Sequence, residues 1–299
     1  MGSALTTVGL PVALGIIMFG LGLTLTLGDF ARVGKHPKAV IIALVCQLVL
    51  LPAVCFGLVV AFQLPPVLAV GMMLLAASPG GTTANLYSHL FRGDVALNIS
   101  LTAINSVIAV VTLPIIANLS IAFFIPGDLS LGLQLSKVLE VFAIVLLPVA
   151  LGMLVRWWKP RFADGMDTPV RITSVIILVV VIAGAVYSNL DILVANFGAL
   201  ALITVLFCLV SLSIGYWVPQ LFGVRRAQAV ASGFEIGIHN ATLAIVIAQT
   251  VLGSVEMSLP AAVYGVLMFF VAAAFGFMIR GKVIESGQPA STAPTPLSE

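Results

Sequence analysis

Glu235, Gly237, His239 and Asn240 stand where an apolar stretch should exclude them. The segment RAQAVASGFEIGIHNATLAIVIAQTVLG, opening at Arg226, is long and apolar enough to cross a bilayer, and these residues fall in its middle. A carboxylate at mid-membrane depth is costly, so its presence there points to function. A second stretch, VLAVGMMLLAASPGGTTANLYSHLFRG from Val67 to Gly93, is broken by Ser78, Pro79, Gly80 and Gly81 and resumes at Thr82, Thr83, Ala84 and Asn85. Each break frees backbone N–H and C=O groups that lipid cannot satisfy. Two interrupted apolar segments in corresponding places form the pattern of a carrier with discontinuous helices, whose freed backbone groups and half-helix ends bind ions and substrate.

Other polar residues fit the same chemistry. Asn98, Thr102 and Asn105 are spaced i, i+4 and i+7 and so share one helix face. Alone, such a stripe reads as interhelical hydrogen bonding. Beside Glu235, Asn85 and the isolated amide Gln47 it reads as an oxygen ligand set for a hard cation such as sodium, whose charge would compensate the buried carboxylate. Gly81, Thr82 and Thr83 at one break, and His239 and Asn240 at the other, open half-helices whose N–H groups suit an anionic substrate group; the alternative is a merely kinked, packed helix. His239 admits three roles: ion ligand, group exchanging a proton near neutral pH, or hydrogen-bonded donor locked in the break. His89, one turn before Arg92, reads as interfacial.

The elements that must position these residues follow from composition. The chain has 299 residues, 61% hydrophobic and 8% charged, with mean hydropathy +1.22. That balance excludes a soluble domain and predicts an all-α polytopic membrane protein. Apolar runs predict nine transmembrane helices, at about 8–27, 39–62, 67–91, 95–117, 132–155, 170–187, 197–218, 227–252 and 259–280. Of the 13 Lys and Arg residues all but Lys137 fall on alternate connections, which predicts a multi-pass cell-membrane (inner or plasma membrane) protein with its N-terminus outside and its C-terminus cytoplasmic. The N-terminal MGSALTTVG lacks the basic n-region of a signal peptide and is expected to be retained. Spans one to four and six to nine correspond in order, with the broken helix third in each set but opposite starting sides, an inverted repeat. Cys46, Cys55 and Cys208 lie inside apolar spans and read as inert thiols. The Pro-, Ser- and Thr-rich 283–299 is expected to be a disordered cytoplasmic tail. No nucleophile or metalloprotease motif lies near Glu235, so the chain is not expected to be an enzyme, and no nucleic-acid partner or cofactor is expected.

With these residues in hand the chain resembles the bile acid:sodium symporter family, whose members include carriers of pantoate and other small organic anions. The matching pieces are GIIMFGLGLTL (15–25), KHPKAVII (35–42), SPGGTTAN (78–85) with RGDVAL (92–97), and FEIGIHNATLA (234–244). The resemblance implies one transporter unit over 1–281. In it a core domain (about 39–117 and 197–280) holds two crossed discontinuous helices, and a panel domain (8–27, 132–155, 170–187) moves against it. The nine-span count is that of the vertebrate members, without the additional first helix of ten-helix bacterial ones. Carried over by position, the first sodium site comprises Asn85, Asn98, Thr102 and Glu235. The second comprises Gln47, Glu235, the carbonyls of Ile236 and Ile238, and His239. Ala84 stands where serine is common and His239 where glutamine is usual, so both sites depart from the family pattern. The expected activity is sodium-coupled symport, Na+ being the coupling ion, of a small organic anion such as a bile acid, pantoate or a 2-oxo acid, held by Thr82, Thr83 and Asn240. The rival is a proton-coupled carrier or sodium/proton antiporter of related architecture.

Overall fold

A computed structural model describes residues 10–126 and 135–280; the expected tail at 283–299 lies outside them. The described chain is helical: α1 Leu10–Thr24, α2 Leu27–Arg32, α3 Pro37–Ala61, α4 Pro66–Ala77, α5 Thr83–Leu90, α6 Val95–Phe124, α7 Leu135–Trp158, α8 Pro160–Ser188, α9 Leu190–Leu221, α10 Arg226–Gly237, α11 Ala241–Val251 and α12 Leu259–Arg280. No β-strand occurs among the described residues. Helices are the expected solution for chain in lipid, because each satisfies its own backbone groups. Four, Pro37–Ala61, Val95–Phe124, Leu190–Leu221 and Glu256–Arg280, are long and apolar enough to cross a bilayer, and a fifth forms if the bent pair Pro11–Thr24 and Leu27–Lys35 counts as one span. The protein is therefore a multi-pass membrane protein.

Three local features differ from the continuous spans read in the sequence. The first run, expected over 8–27, turns by 65° after Thr24. Thr26 begins a new helix there, its backbone N–H and its hydroxyl both donating to Asp29 Oδ2, at 2.8 and 2.7 Å, and a Thr-x-x-Asp box of this kind fixes a helix start. The sixth run begins near 160 rather than 170, because Pro160 occupies the first turn of α8, where its missing N–H costs nothing. Within α3, residues Cys46–Leu50 form a wide π turn directly ahead of Pro52. Proline clashes with the carbonyl four residues earlier, and the widened turn relieves that clash. The turn also holds Gln47.

Packing sorts the helices into two groups. Helix α1 packs chiefly on α7 and α8, whereas α9 packs on α10 and α12, and α4 on α6. One buried cluster draws on α3, α4, α9, α10 and α12, including Met72, Phe207, Phe234 and Tyr264; another joins Leu14 of α1 to Leu74, Leu113 and Leu243. Close approach of α9 and α10 depends on glycine: a Cβ on Gly237 would run into Leu212, and one on Gly215 into the backbone at Ser232. Cys46, Cys55 and Cys208 are buried free thiols.

Candidate functional site

The two interrupted segments meet at their breaks. Gly81 N–H donates to Ile238 O (2.8 Å) and Asn240 N–H donates to Pro79 O (2.8 Å), so that Gly80 and His239 pair as a single antiparallel bridge. The freed backbone groups of one break are thus satisfied by those of the other, as buried main-chain groups require. Side chains complete the accounting. The Ser78 carbonyl accepts from Gln47 Nε2 at 3.1 Å and lies 3.1 Å from His239 Nδ1; the Gly237 carbonyl accepts from the Tyr264 hydroxyl at 2.8 Å.

Glu235 is fully buried against this junction. Its Oε2 accepts from Thr102 Oγ1 at 2.5 Å and its Oε1 from Asn105 Nδ2 at 3.2 Å, and a Cβ on Gly80 would overlap its carboxylate. Among the described residues the ion pairs are Arg32–Asp29 and Arg156–Asp164, so no Lys or Arg neutralises Glu235. Asn98 is buried beside it, donating from Nδ2 to Ser88 Oγ (2.6 Å) and to Ala231 O (2.9 Å). Gln47 Oε1, Asn85 Oδ1, Asn98 Oδ1, Asn105 Oδ1 and His239 Nε2 are buried with no protein hydrogen-bond partner; beyond them only Ser211 Oγ and Ser232 Oγ share that condition among the described side chains. Buried polar atoms are almost always partnered. The unpartnered oxygens of Asn98 and Asn105 beside an uncompensated carboxylate fit a hard cation as the missing partner.

The structure brings the sequence-derived residues together unevenly. Thr102 and Glu235 touch directly; Asn98 and Asn85 each present an unpartnered oxygen; Ala84, where a hydroxyl is common, is buried and contributes no ligand atom. Gln47 and His239 meet at the Ser78 carbonyl, not at Glu235, and no hydrogen bond joins them to that carboxylate. Of the carbonyls expected at the second site, that of Ile238 already accepts from Gly81. The His239 ring stacks on Phe207 at 5.4 Å and meets Tyr264 edge-on at 5.5 Å. Asn105 was legible as part of the polar face but not as a partner of the carboxylate, because periodicity gives a face and not its occupant.

A cavity of about 420 Å³ lies against the junction, lined by Gly80–Thr83, Asn85 and His239–Thr242 on one side and by residues of α1, α8 and α12 on the other. Thr82 and Thr83 open α5 on this cavity. Asn240 precedes α11, its Oδ1 accepting from Leu243 N at 3.0 Å, which leaves its Nδ2 as the group free to donate. His89, read in the sequence as interfacial, also lines the cavity.

The chain is similar over 257 residues, at 29% identity, to the uncharacterized sodium-dependent transporter YocS of Bacillus subtilis (strain 168), covering 86% of this chain and 78% of that protein. It is 26% identical over 271 residues to the probable sodium/metabolite cotransporter BASS2, chloroplastic, of Oryza sativa subsp. japonica, covering 91% of this chain and 64% of that one. With the ileal sodium/bile acid cotransporter of Homo sapiens it shares 25% over 282 residues, 91% of this chain and 79% of that protein. These relatives are transporters and not enzymes. The family model described as the Sodium Bile acid symporter family matches residues 11–196, more than half of a chain whose broken helices and buried carboxylate are now placed, and the chain belongs to that family.

Proposed function

We propose that this protein is a cell-membrane secondary transporter that couples sodium entry to uptake of a small organic anion by alternating access. The observation that carries the reading is the uncompensated, buried Glu235 carboxylate with unpartnered oxygens of Asn98 and Asn105 beside it, and further unpartnered atoms on Gln47, Asn85 and His239. Asn85, Asn98, Thr102 and Glu235 form the first sodium site, to which Asn105 adds an oxygen. Gln47, Glu235, Ile236, Ile238 and His239 form the second. Sodium in these positions ties α5, α6 and α10 together behind the junction, and Thr82, Thr83 and Asn240 then hold the anion's carboxylate at the half-helix starts.

The surrounding architecture supports the movement this requires. In our reading the chain makes nine spans, with α4/α5 and α10/α11 each one broken span in an inverted repeat. Its N-terminus is outside and its C-terminus cytoplasmic. Helices α1, α7 and α8, which pack largely on one another, are the panel; the rest is the core, and the cavity lies between the two. The test is uptake into sealed vesicles of a set of labelled small carboxylates, pantoate, 2-oxo acids and bile acids among them, under imposed sodium or potassium gradients. Sodium-driven accumulation is expected. Uptake that follows a pH gradient equally well without sodium would transfer the assignment to the proton-coupled alternative.

A further inference from the structure

The cavity is chemically two-ended. Around the junction its lining is polar, with Thr82, Thr83, Asn85 and Asn240; beyond, Met18, Leu86, Met166 and Phe269 make it apolar. Among the described side chains no Lys, Arg, Asp or Glu lines it. The ionisable side chains among its described lining are those of His239, which is buried and engaged at Ser78, and His89, which is exposed and makes no side-chain hydrogen bond or ion pair among the described residues. Thr82, Leu86 and His89 are spaced i, i+4 and i+7, so they lie on one face of α5 and open on the cavity, while Ala84 and Ser88 on the opposite face are buried in the protein. The end of α5 is fixed in place: Gly93 N–H donates to Ser88 O at 2.7 Å and Arg92 N–H to His89 O at 3.2 Å, the two bonds of a Schellman cap. His89 is therefore held at a set height above the junction.

We propose that His89 determines specificity at the far end of this cavity, and that the substrate is an elongated organic anion with a second hydrogen-bond acceptor, charged or neutral, about 7–9 Å from its carboxylate. Seven residues of helix separate Thr82 from His89, an axial rise of about 10 Å, and the tilt of helical side chains toward the N-terminus brings His89 back toward Thr82. A substrate with an apolar far end would displace water from the exposed imidazole without offering it a partner, which is unfavourable for a polar group. The cavity's apolar middle accepts a methylene chain or ring between the two polar ends. The inference rests on the transport reading above, since it takes the carboxylate of the substrate to sit at Thr82, Thr83 and Asn240.

The test is thermal stability of the purified full chain in sodium, titrated with suberate, 8-hydroxyoctanoate and octanoate, for the wild type, His89→Leu and His89→Gln. In the wild type, suberate and 8-hydroxyoctanoate should half-saturate at about one-tenth of the octanoate concentration, the worth of one hydrogen bond to a charged or buried group. His89→Leu should erase the difference while keeping both the octanoate response and the sodium response; His89→Gln, which retains a donor, should keep part of it. Equal binding of all three anions by the wild type, or an undiminished preference in His89→Leu, overturns the proposal and leaves sodium-coupled anion transport standing. A sodium response with no response to any of the three also overturns it. Absence of any sodium response in the wild type removes the underlying transport reading as well.

Discussion

Replacing Glu235 by Gln separates the charge of this site from its shape. In the wild type the carboxylate accepts from Thr102 Oγ1 and Asn105 Nδ2 and pairs with no cationic side chain among the described residues. A glutamine can reproduce the network: its Oε1 keeps Asn105 Nδ2, and its Nε2 donates to Thr102 Oγ1, whose own proton turns to the Asn98 carbonyl 3.1 Å away. Both side-chain hydrogen bonds of the carboxylate are kept, and a buried uncompensated charge is removed. Stability without sodium should therefore equal or exceed that of the wild type. The response to sodium should be the opposite. A ligand at about a hundred times its dissociation constant adds about 2.7 kcal/mol to the folded state, which at about 2–4 °C per kcal/mol for a domain of this order is a rise in Tm of about 5–11 °C. The assay is thermal unfolding of the purified protein in sodium against choline at equal ionic strength. The wild type should show the full rise and Glu235→Gln none. A variant that keeps the sodium-specific rise, or whose sodium-free Tm drops well below that of the wild type, would refute the argument, the first by removing the charge from sodium binding and the second by making the carboxylate structural.

Three further outcomes are expected. Gly80→Ala places a methyl group in the space of the Glu235 carboxylate, so it should cost about 1–3 kcal/mol and abolish the sodium-dependent rise in Tm; a variant with wild-type sodium response would show that the junction yields there. Arg92 sits at φ 59° in the left-handed position of the cap that ends α5, so Arg92→Gly should raise stability by about 0.5–1 kcal/mol, read as a higher Tm, and a lower one would mean that the guanidinium holds something the backbone argument omits. In His239→Gln the amide nitrogen can take over the contact with the Ser78 carbonyl and leave an oxygen where the imidazole presents Nε2; a hard cation prefers that oxygen, so half-saturating sodium should fall severalfold, and a titration showing no change or a rise would exclude His239 from the cation's surroundings.

Much of the site was legible because lipid makes polar residues conspicuous. Pro79, Gly80 and Gly81 in one apolar run, and Glu235 to Asn240 in another, mark the breaks without any knowledge of their contacts, and the structure ends α4 at Ala77 and α10 at Gly237. The partners were not legible. That Gly81 bonds to Ile238 and Asn240 to Pro79 is a relation between residues far apart in the chain, and no local pattern encodes it. The same limit explains Gln47, whose place in a π turn could be suspected from Pro52 but whose Ser78 partner could not. The place of His89 on the cavity was not legible for a different reason: proximity to Arg92 suggested the interface, whereas the face of α5 it occupies is fixed by the register from Thr82, and that register depends on where the half-helix starts. The turn after Thr24 had a readable signal in Thr26 and Asp29 that the uninterrupted apolar run concealed.

The junction also imposes an order on biogenesis. His239 lies 161 residues after Ser78, so when the first broken segment leaves the ribosome its partner has not been made. Until residues 238–240 arrive, Gly81 N–H and the Pro79 carbonyl have no protein acceptor or donor, and α4 and α5 cannot settle as a dry, fixed pair in the bilayer. The nascent first half must wait, kept near water or an insertion factor, and commits only when the second half closes the loop, a long-range contact of the kind that slows folding. A chain truncated after α8 should consequently be cleared by quality control, although every one of its own helices has been synthesised.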